Sequence, residues 1–219
     1  MIKLNKVSKT LDHQLILEDI TAEFEKGKIH GIIGRNGCGK SMLFRLICGL
    51  IEPDTGTVEI DGKPQKEALQ EADTIGALIE KPKFLENLSG LENLMLLASI
   101  HHKVEKEEIA TWMDRFGLET EKNKKYGKYS LGMKQKLGII QALMEHQSII
   151  ILDEPFNGLD QNSVEIVRKI LLQKKEEGTT VLLASHIKED ILLLCDRVYE
   201  MDAGKIVKTY HHQKKKETV

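Results

Sequence analysis

Cysteine is scarce in this chain. Its 219 residues hold three, Cys38, Cys48 and Cys195, scattered and without a C-x-x-C pair. That excludes a disulfide framework and a cysteine zinc knuckle and suits a reducing compartment, so no structural metal is expected. Long apolar runs are missing too: stretches such as Ser148 to Leu152 and Val181 to Ala184 fall far short of the roughly 20 residues that cross a bilayer. The N-terminus, Met1-Ile2-Lys3-Leu4-Asn5-Lys6, lacks the apolar stretch and cleavage site of a secretory signal. The expectation is a cytosolic chain with no direct membrane insertion. Nor does one charge dominate. Thirty-two Lys and Arg face thirty-four Asp and Glu, for a formal charge of −2, so no global positive field marks nucleic acid as a partner. With 41% hydrophobic and 30% charged residues, the chain supports a buried core and is not wholesale disordered.

Three short apolar runs end at loops carrying polar or glycine residues: Ile29 to Gly34, Ile149 to Asp153, and Thr179 to His186. Such runs read as buried parallel strands. Helical patterns lie between them. Ser41 to Leu50 follows the first run, and Val164, Val167, Ile170 and Leu171 mark one face of a helix opened by Asp160 and stopped near Gly178. An α/β core is expected. Residues 82–146 differ in texture, with Ile109, Trp112, Met113 and Phe116 at helical spacing and a second apolar helix from Gly132 to Glu145. They read as a helical insertion into a single domain whose α/β part spans 1–81 and 147–210, with 211–219 a polar tail. Asp61-Gly62 within Thr57 to Gln65, and Ala203-Gly204 within Tyr199 to Lys208, mark two hairpins.

Gly34-Arg35-Asn36-Gly37-Cys38-Gly39-Lys40-Ser41 completes a G-x-x-x-x-G-K-[ST] pattern between an apolar strand and a helix. Its glycines allow a tight turn whose N–H groups converge on an anion, and the helix N-terminus adds positive potential. Lys40 supplies a mobile charge for β- and γ-phosphates, and Ser41 a hydroxyl for Mg²⁺. Cys38 reads as a small filler that, near a helix N-terminus, could become an oxidisable thiol. Farther on, Asp153 and Glu154 end a buried strand. Adjacent strand residues project oppositely, which assigns Asp153 to Mg²⁺, directly or through water, and leaves Glu154 to polarise an attacking water.

The order of motifs then resembles the nucleotide-binding subunit of an ATP-binding cassette (ABC) transporter, over almost the whole chain. After the phosphate loop come Tyr129-Ser130-Leu131-Gly132-Met133-Lys134-Gln135, Leu152-Asp153-Glu154-Pro155, Asn157-Gly158-Leu159-Asp160 and Ser185-His186. These are similar to the signature segment, the Walker B strand with its glutamate, the D-loop and the switch histidine. The resemblance implies a P-loop NTPase with a RecA-like parallel-sheet core, an antiparallel β subdomain and an inserted α-helical subdomain. It implies ATP and Mg²⁺ as cofactors and a head-to-tail dimer, with itself or with a similar cassette, in which the signature segment of one copy covers ATP on the other. Ser130 and Gly132 would then face the γ-phosphate and Asp160 the dimer seam, although alone Ser130 and Asp160 read as helix caps. His186 would contact the γ-phosphate, whereas His101, His102, His146, His211 and His212 read as surface residues.

This chain departs from the family in places. Leu131 and Met133 replace the commoner Gly and Gln of the signature. Glu80, in Ala77-Leu78-Ile79-Glu80-Lys81-Pro82, stands where glutamine is usual, yet a carboxylate there can still bind Mg²⁺ or its water. Leu11 aligns with an adenine-stacking aromatic, and Met42 replaces a frequent hydroxyl that touches the α-phosphate. The signature and the Glu80 region resemble bacterial exporter cassettes for bacitracin, lantibiotics or other amphipathic peptides. Such a cassette works at the cytoplasmic face of the membrane on a separate transmembrane permease, contacted through the helical insertion with Glu80 to Asn87 as hinge. The alternatives are a soluble ABC switch without a membrane partner and a regulatory module that binds ATP without hydrolysing it.

Overall fold

The computed structural model describes residues 1–71 and 75–211. In chain order the elements are β1 (Ile2–Leu11), β2 (Gln14–Phe24), β3 (Ile29–Ile33), α1 (Lys40–Ile47), β4 (Thr55–Ile60), β5 (Lys63–Pro64), α2 (Gln65–Glu71) and β6 (Ile75–Leu78). Then follow α3 (Gly90–His101), α4 (Lys106–Arg115), a 3-10 turn (Tyr126–Lys128), α5 (Leu131–Leu143), β7 (Ile149–Asp153), α6 (Gln161–Glu176), β8 (Thr180–Ala184), α7 (Lys188–Leu194), β9 (Arg197–Asp202) and β10 (Lys205–His211).

The three apolar runs become β3, β7 and β8, neighbours in a six-stranded sheet of order β10-β9-β3-β8-β7-β6. All pairings in it are parallel except the β9–β10 hairpin at one edge. Both faces are covered, so the strands are apolar throughout instead of alternating. In β7, Ile149 and Ile151 join a cluster with Leu43 and Phe44 of α1, while Ile150 and Leu152 join a second one with Leu137 of α5 and Leu171 of α6. Those two layers are the hydrophobic core.

An antiparallel sheet of order β2-β1-β4-β5 packs over the α1 layer through Ile2, Val7, Leu17 and Ile20. The hairpin at Asp61-Gly62 belongs to it, although β5 spans two residues before the chain enters α2. Between β6 and β7 the chain is helical. α3 opens with a reciprocal cap, in which the Ser89 hydroxyl accepts the Glu92 N–H and the Glu92 carboxylate accepts the Ser89 N–H. Ile109, Trp112 and Met113 are the buried face of α4, with Phe116 buried just beyond it. Tyr126 donates its hydroxyl to the Pro82 carbonyl at 2.8 Å and Tyr129 donates to Glu121 at 2.9 Å, so the stretch leading into α5 is pinned against the exit of β6. His211 ends β10, one residue into the expected polar tail; the rest of that tail, with His212, lies outside the described residues. Among the described residues no helix is long and apolar enough to cross a membrane.

Because β3, β8 and β7 run parallel side by side, their carboxyl ends deliver Gly34, Ser185-His186 and Asp153-Glu154 to one edge. That is the usual ligand-binding edge of such sheets.

Candidate nucleotide site

The loop that leaves β3 at Gly34 borders a cavity of about 640 Å³ through Asn36, Gly37, Gly39, Lys40 and Ser41. Gly34 has φ 152°, and a Cβ there would stand 2.3 Å from the Met201 carbonyl oxygen, so the turn out of β3 admits no side chain. Gly39, at φ 107°, is the N-cap of α1 and offers no capping side chain. The first N–H groups of α1 are therefore left for an anion. Lys40 is only 8% exposed; its Nζ donates to the carbonyls of Gly34 at 2.8 Å and Arg35 at 3.2 Å, which holds the ammonium group inside the loop.

Ser41 Oγ donates to Asp153 Oδ2 at 2.5 Å. Asp153 ends β7 and is 6% exposed. Burial raises its pKa, assisted by the charges of Glu154 and Glu80 and opposed by the Ser41 hydrogen bond and Lys40. Here lie two hard oxygen donors, one carrying a charge the protein solvates poorly. Among the described residues no group of three or more His, Cys, Asp and Glu could cage a metal, so a cation at this pair would draw its remaining ligands from elsewhere.

Glu154 diverges from Asp153 for a reason other than strand alternation. β7 stops at Asp153, and Glu154 turns into the left-handed region at φ 50°. The Glu154 N–H donates to the Ala184 carbonyl at 2.9 Å, anchoring the turn to the end of β8. Its Oε2 meets His186 Nδ1 at 2.6 Å and accepts the His186 N–H at 3.3 Å. His186 is itself 60% exposed and Glu154 22%, so the pair stands at the rim with its far side open.

Asn36, Gly37, Gly39, Lys40, Ser41, Met42, Glu80, Asp153 and Glu154 all border the cavity. Gly34 and Arg35 instead border a second one of about 440 Å³, with His186 and Tyr210. Cys38 is buried, and its Sγ would lie 2.6 Å from a Cβ on Gly34. It packs as filler, and burial removes the access that an oxidisable thiol needs. Glu80, at φ 62°, pairs with Arg45 of α1 at 2.7 Å. Leu11 does not border the cavity, whereas Ile16 does.

Ser130 and Asp160 stand as helix caps in the single chain. The Ser130 hydroxyl accepts the Met133 N–H at 3.2 Å at the start of α5. Asp160 accepts the Ser163 N–H at 2.8 Å at the start of α6, pairs with Lys136 at 3.4 Å, and is pulled down to about 2 chiefly by its bonds with Ser163. Gly132 has an intrachain reason to be glycine, because a Cβ would stand 2.9 Å from the Gly158 carbonyl oxygen. Neither Ser130 nor Gly132 borders the chain's own cavity, but Leu131, Asn157 and Gly158 do. Sequence reasoning gave Gln135 no role. It is buried, borders the cavity, and donates to the Pro155 carbonyl at 3.0 Å just after Glu154. Its place within the signature segment was the only available signal.

The sequence profile described as ABC transporter matches residues 17–157. An uncharacterized ABC transporter ATP-binding protein, YybJ of Bacillus subtilis (strain 168), is 39% identical over 206 residues, covering 94% of each chain. The bacitracin transport ATP-binding protein BcrA of Enterococcus faecalis is 36% identical over 209 residues, covering 94% of this chain and 68% of BcrA. A solved ATP-binding subunit of an ABC transporter superposes with a TM-score of 0.88 at 28% identity, over 96% of this chain and 89% of that one. With a phosphate loop backed by a buried lysine, and with its family's profile matched over more than half its length, this chain belongs to the ABC transporter family as one of its ATP-binding, ATP-hydrolysing subunits.

Proposed function

We propose that two cassettes, this chain with itself or with a similar partner, close around two ATP molecules and drive a separate transmembrane permease at the cytoplasmic face of the membrane. The observation that carries the hydrolytic part is the contact of Glu154 with His186 beside the Ser41–Asp153 pair. Lys40 and the N–H groups of Asn36, Gly37 and residues 39–42, all at the cavity, neutralise and orient the phosphates. Ser41 and Asp153, with Glu80 nearby, would hold Mg²⁺, which when bound neutralises charge on the β- and γ-phosphates. Hard oxygens in contact, one on a poorly solvated carboxylate, suit that cation, which takes its other ligands from water and substrate. Glu154 polarises the attacking water, and His186 holds Glu154 from one side while offering its exposed ring to the γ-phosphate. Such a reaction needs positioning and charge neutralisation more than covalent catalysis.

Ser130, Gly132 and Asp160 take their roles in the second copy's site. The exposed positions of Ser130 and Asp160 at the starts of α5 and α6, outside the chain's own cavity, support that division. The helical segment 82–146 is read as the permease contact and the α/β parts 1–81 and 147–210 as the motor, within one domain. The cargo we infer is an amphipathic peptide antibiotic moved outward, a reading supported by the likeness to BcrA over 94% of the chain. Deleting the gene should sensitise its host to such a peptide, and the wild-type gene should restore resistance where Glu154→Gln does not. Equal restoration by the variant, or purification from membranes without any transmembrane partner, would refute the transport reading and favour a soluble switch.

A further inference from the structure

One buried ion pair has no part in the site as described. Asp190, in the first turn of α7, is fully buried. Arg168 of α6 reaches it with two donors, Nε at 3.0 Å and Nη2 at 2.6 Å, both on Oδ1. The outer nitrogen of the same guanidinium meets Glu165 at 2.6 Å and Glu189 at 3.3 Å. The other Asp190 oxygen, Oδ2, accepts the Ser185 hydroxyl at 3.4 Å, and the Ser185 oxygen accepts the Ile187 N–H at 3.1 Å. His186 lies between Ser185 and Ile187. Its backbone is thus held on both sides from within the protein while its ring projects outward to Glu154.

A buried pair of this kind is a poor source of stability, because desolvating two charges offsets most of their attraction. What it supplies is direction. Two charge-assisted bonds from Arg168 converge on Oδ1 and hold that oxygen in place, which leaves Oδ2 as the oxygen that meets Ser185. The loop after β8 would otherwise leave the Ser185 oxygen as one more rotatable hydroxyl. With it anchored, the Ser185–Ile187 turn is closed and His186 Nδ1 is aimed at Glu154.

We propose that Asp190, oriented by Arg168 and acting through Ser185, is a positioning residue for His186. The proposal rests on the reading of Glu154 and His186 as the hydrolytic pair.

Ser185→Ala carries the test, since it cuts the link and leaves the Arg168–Asp190 pair intact; Asp190→Asn is the companion variant, at the cost of stranding Arg168. Steady-state phosphate release separates kcat from KM for ATP, and a melting curve reports folding. Ser185→Ala should lower kcat on the order of tenfold, with KM and melting temperature little changed, because small misplacements of a reacting group have effects of this size. Ser185→Thr, which keeps the hydroxyl, should restore most of the loss. In a His186→Ala background, Ser185→Ala should cost less than about twofold more, since both changes remove one interaction. Wild-type kcat for Ser185→Ala alongside an impaired His186→Ala, or fully multiplicative losses in the double variant, would overturn the positioning role and leave the hydrolytic reading standing. Full activity in His186→Ala would overturn both.

Discussion

Replacing Glu154 by Gln removes one negative charge and one proton acceptor while keeping nearly the same volume. The turn at φ 50° is held by the backbone bond to Ala184, which the substitution does not touch, and the amide oxygen can still accept a hydrogen bond from His186. Fold and cavity shape should therefore persist. Loss of a positioned general base lowers turnover by about 10²–10⁴-fold, or about 2.7–5.4 kcal/mol of transition-state stabilisation at roughly 1.36 kcal/mol per tenfold. ATP binding moves the other way. For unit charges about 6 Å apart at an effective dielectric constant of about 40, removing the repulsion is worth about 1.4 kcal/mol, close to tenfold tighter binding of an anion. Neutralising position 154 also removes one of the charges that raise the Asp153 pKa. The variant should thus bind ATP at least as tightly as wild type and accumulate as an ATP-loaded dimer. Phosphate release measures the first effect, nucleotide titration the second, and gel filtration in ATP the third. Turnover within threefold of wild type, with folding intact, would refute the role given to Glu154.

Asp153→Asn should raise the melting temperature of the nucleotide-free chain near neutral pH while abolishing hydrolysis. Burial raises the Asp153 pKa above its ordinary 3.8, so the charged form destabilises the folded state as pH rises through the folded pKa; the stabilisation should vanish below about pH 3.8, and a variant that melts lower at pH 7 would contradict this. His30, fully buried with Nε2 3.0 Å from the Glu25 carbonyl, is held below its ordinary 6.5 by burial. Below about pH 6.5 the unfolded chain takes up a proton that the folded one refuses, so the melting temperature should fall by up to roughly 3–5 °C per pH unit from this group. His30→Gln should flatten that slope, and an unchanged slope would assign it to other groups. Gly76→Ala should cost about 2–3 kcal/mol, or roughly 5–10 °C in melting temperature, because a Cβ on β6 would stand 2.0 Å from the Ala142 carbonyl oxygen of α5. A melting temperature equal to wild type would show that α5 can move off the sheet at little cost.

Much of this protein could be read from consecutive residues. The runs that become β3, β7 and β8 are apolar because both faces of the sheet are covered, and a strand, a glycine turn and a helix dipole make the phosphate loop a local device. Less legible were β1 and β2. Their one-sided alternation is interrupted by register shifts between Leu4 and Thr10, which blurs the period of two. β6 is only four residues long, too short to stand out from the segment read around Glu80. α7 is short and carries the exposed leucines Leu192 and Leu193 beside the buried Asp190, the reverse of the usual pattern.

Local residue order establishes the chemistry available: a cradle for phosphates, a lysine and a hydroxyl beside it, two carboxylates at a strand end and a histidine after another. Which of them touch depends on how the chain packs. Ser41 meets Asp153 across 112 residues, His186 meets Glu154 across 32 and Arg168 meets Asp190 across 22. Each contact follows from the order in which parallel strands and their crossover helices pack, a property of the whole sheet that no local pattern carries. The same packing turned Glu154 out of its strand, shut Cys38 away from solvent and gave Glu80 to Arg45. In each case the decision came from burial and from neighbours distant in the chain.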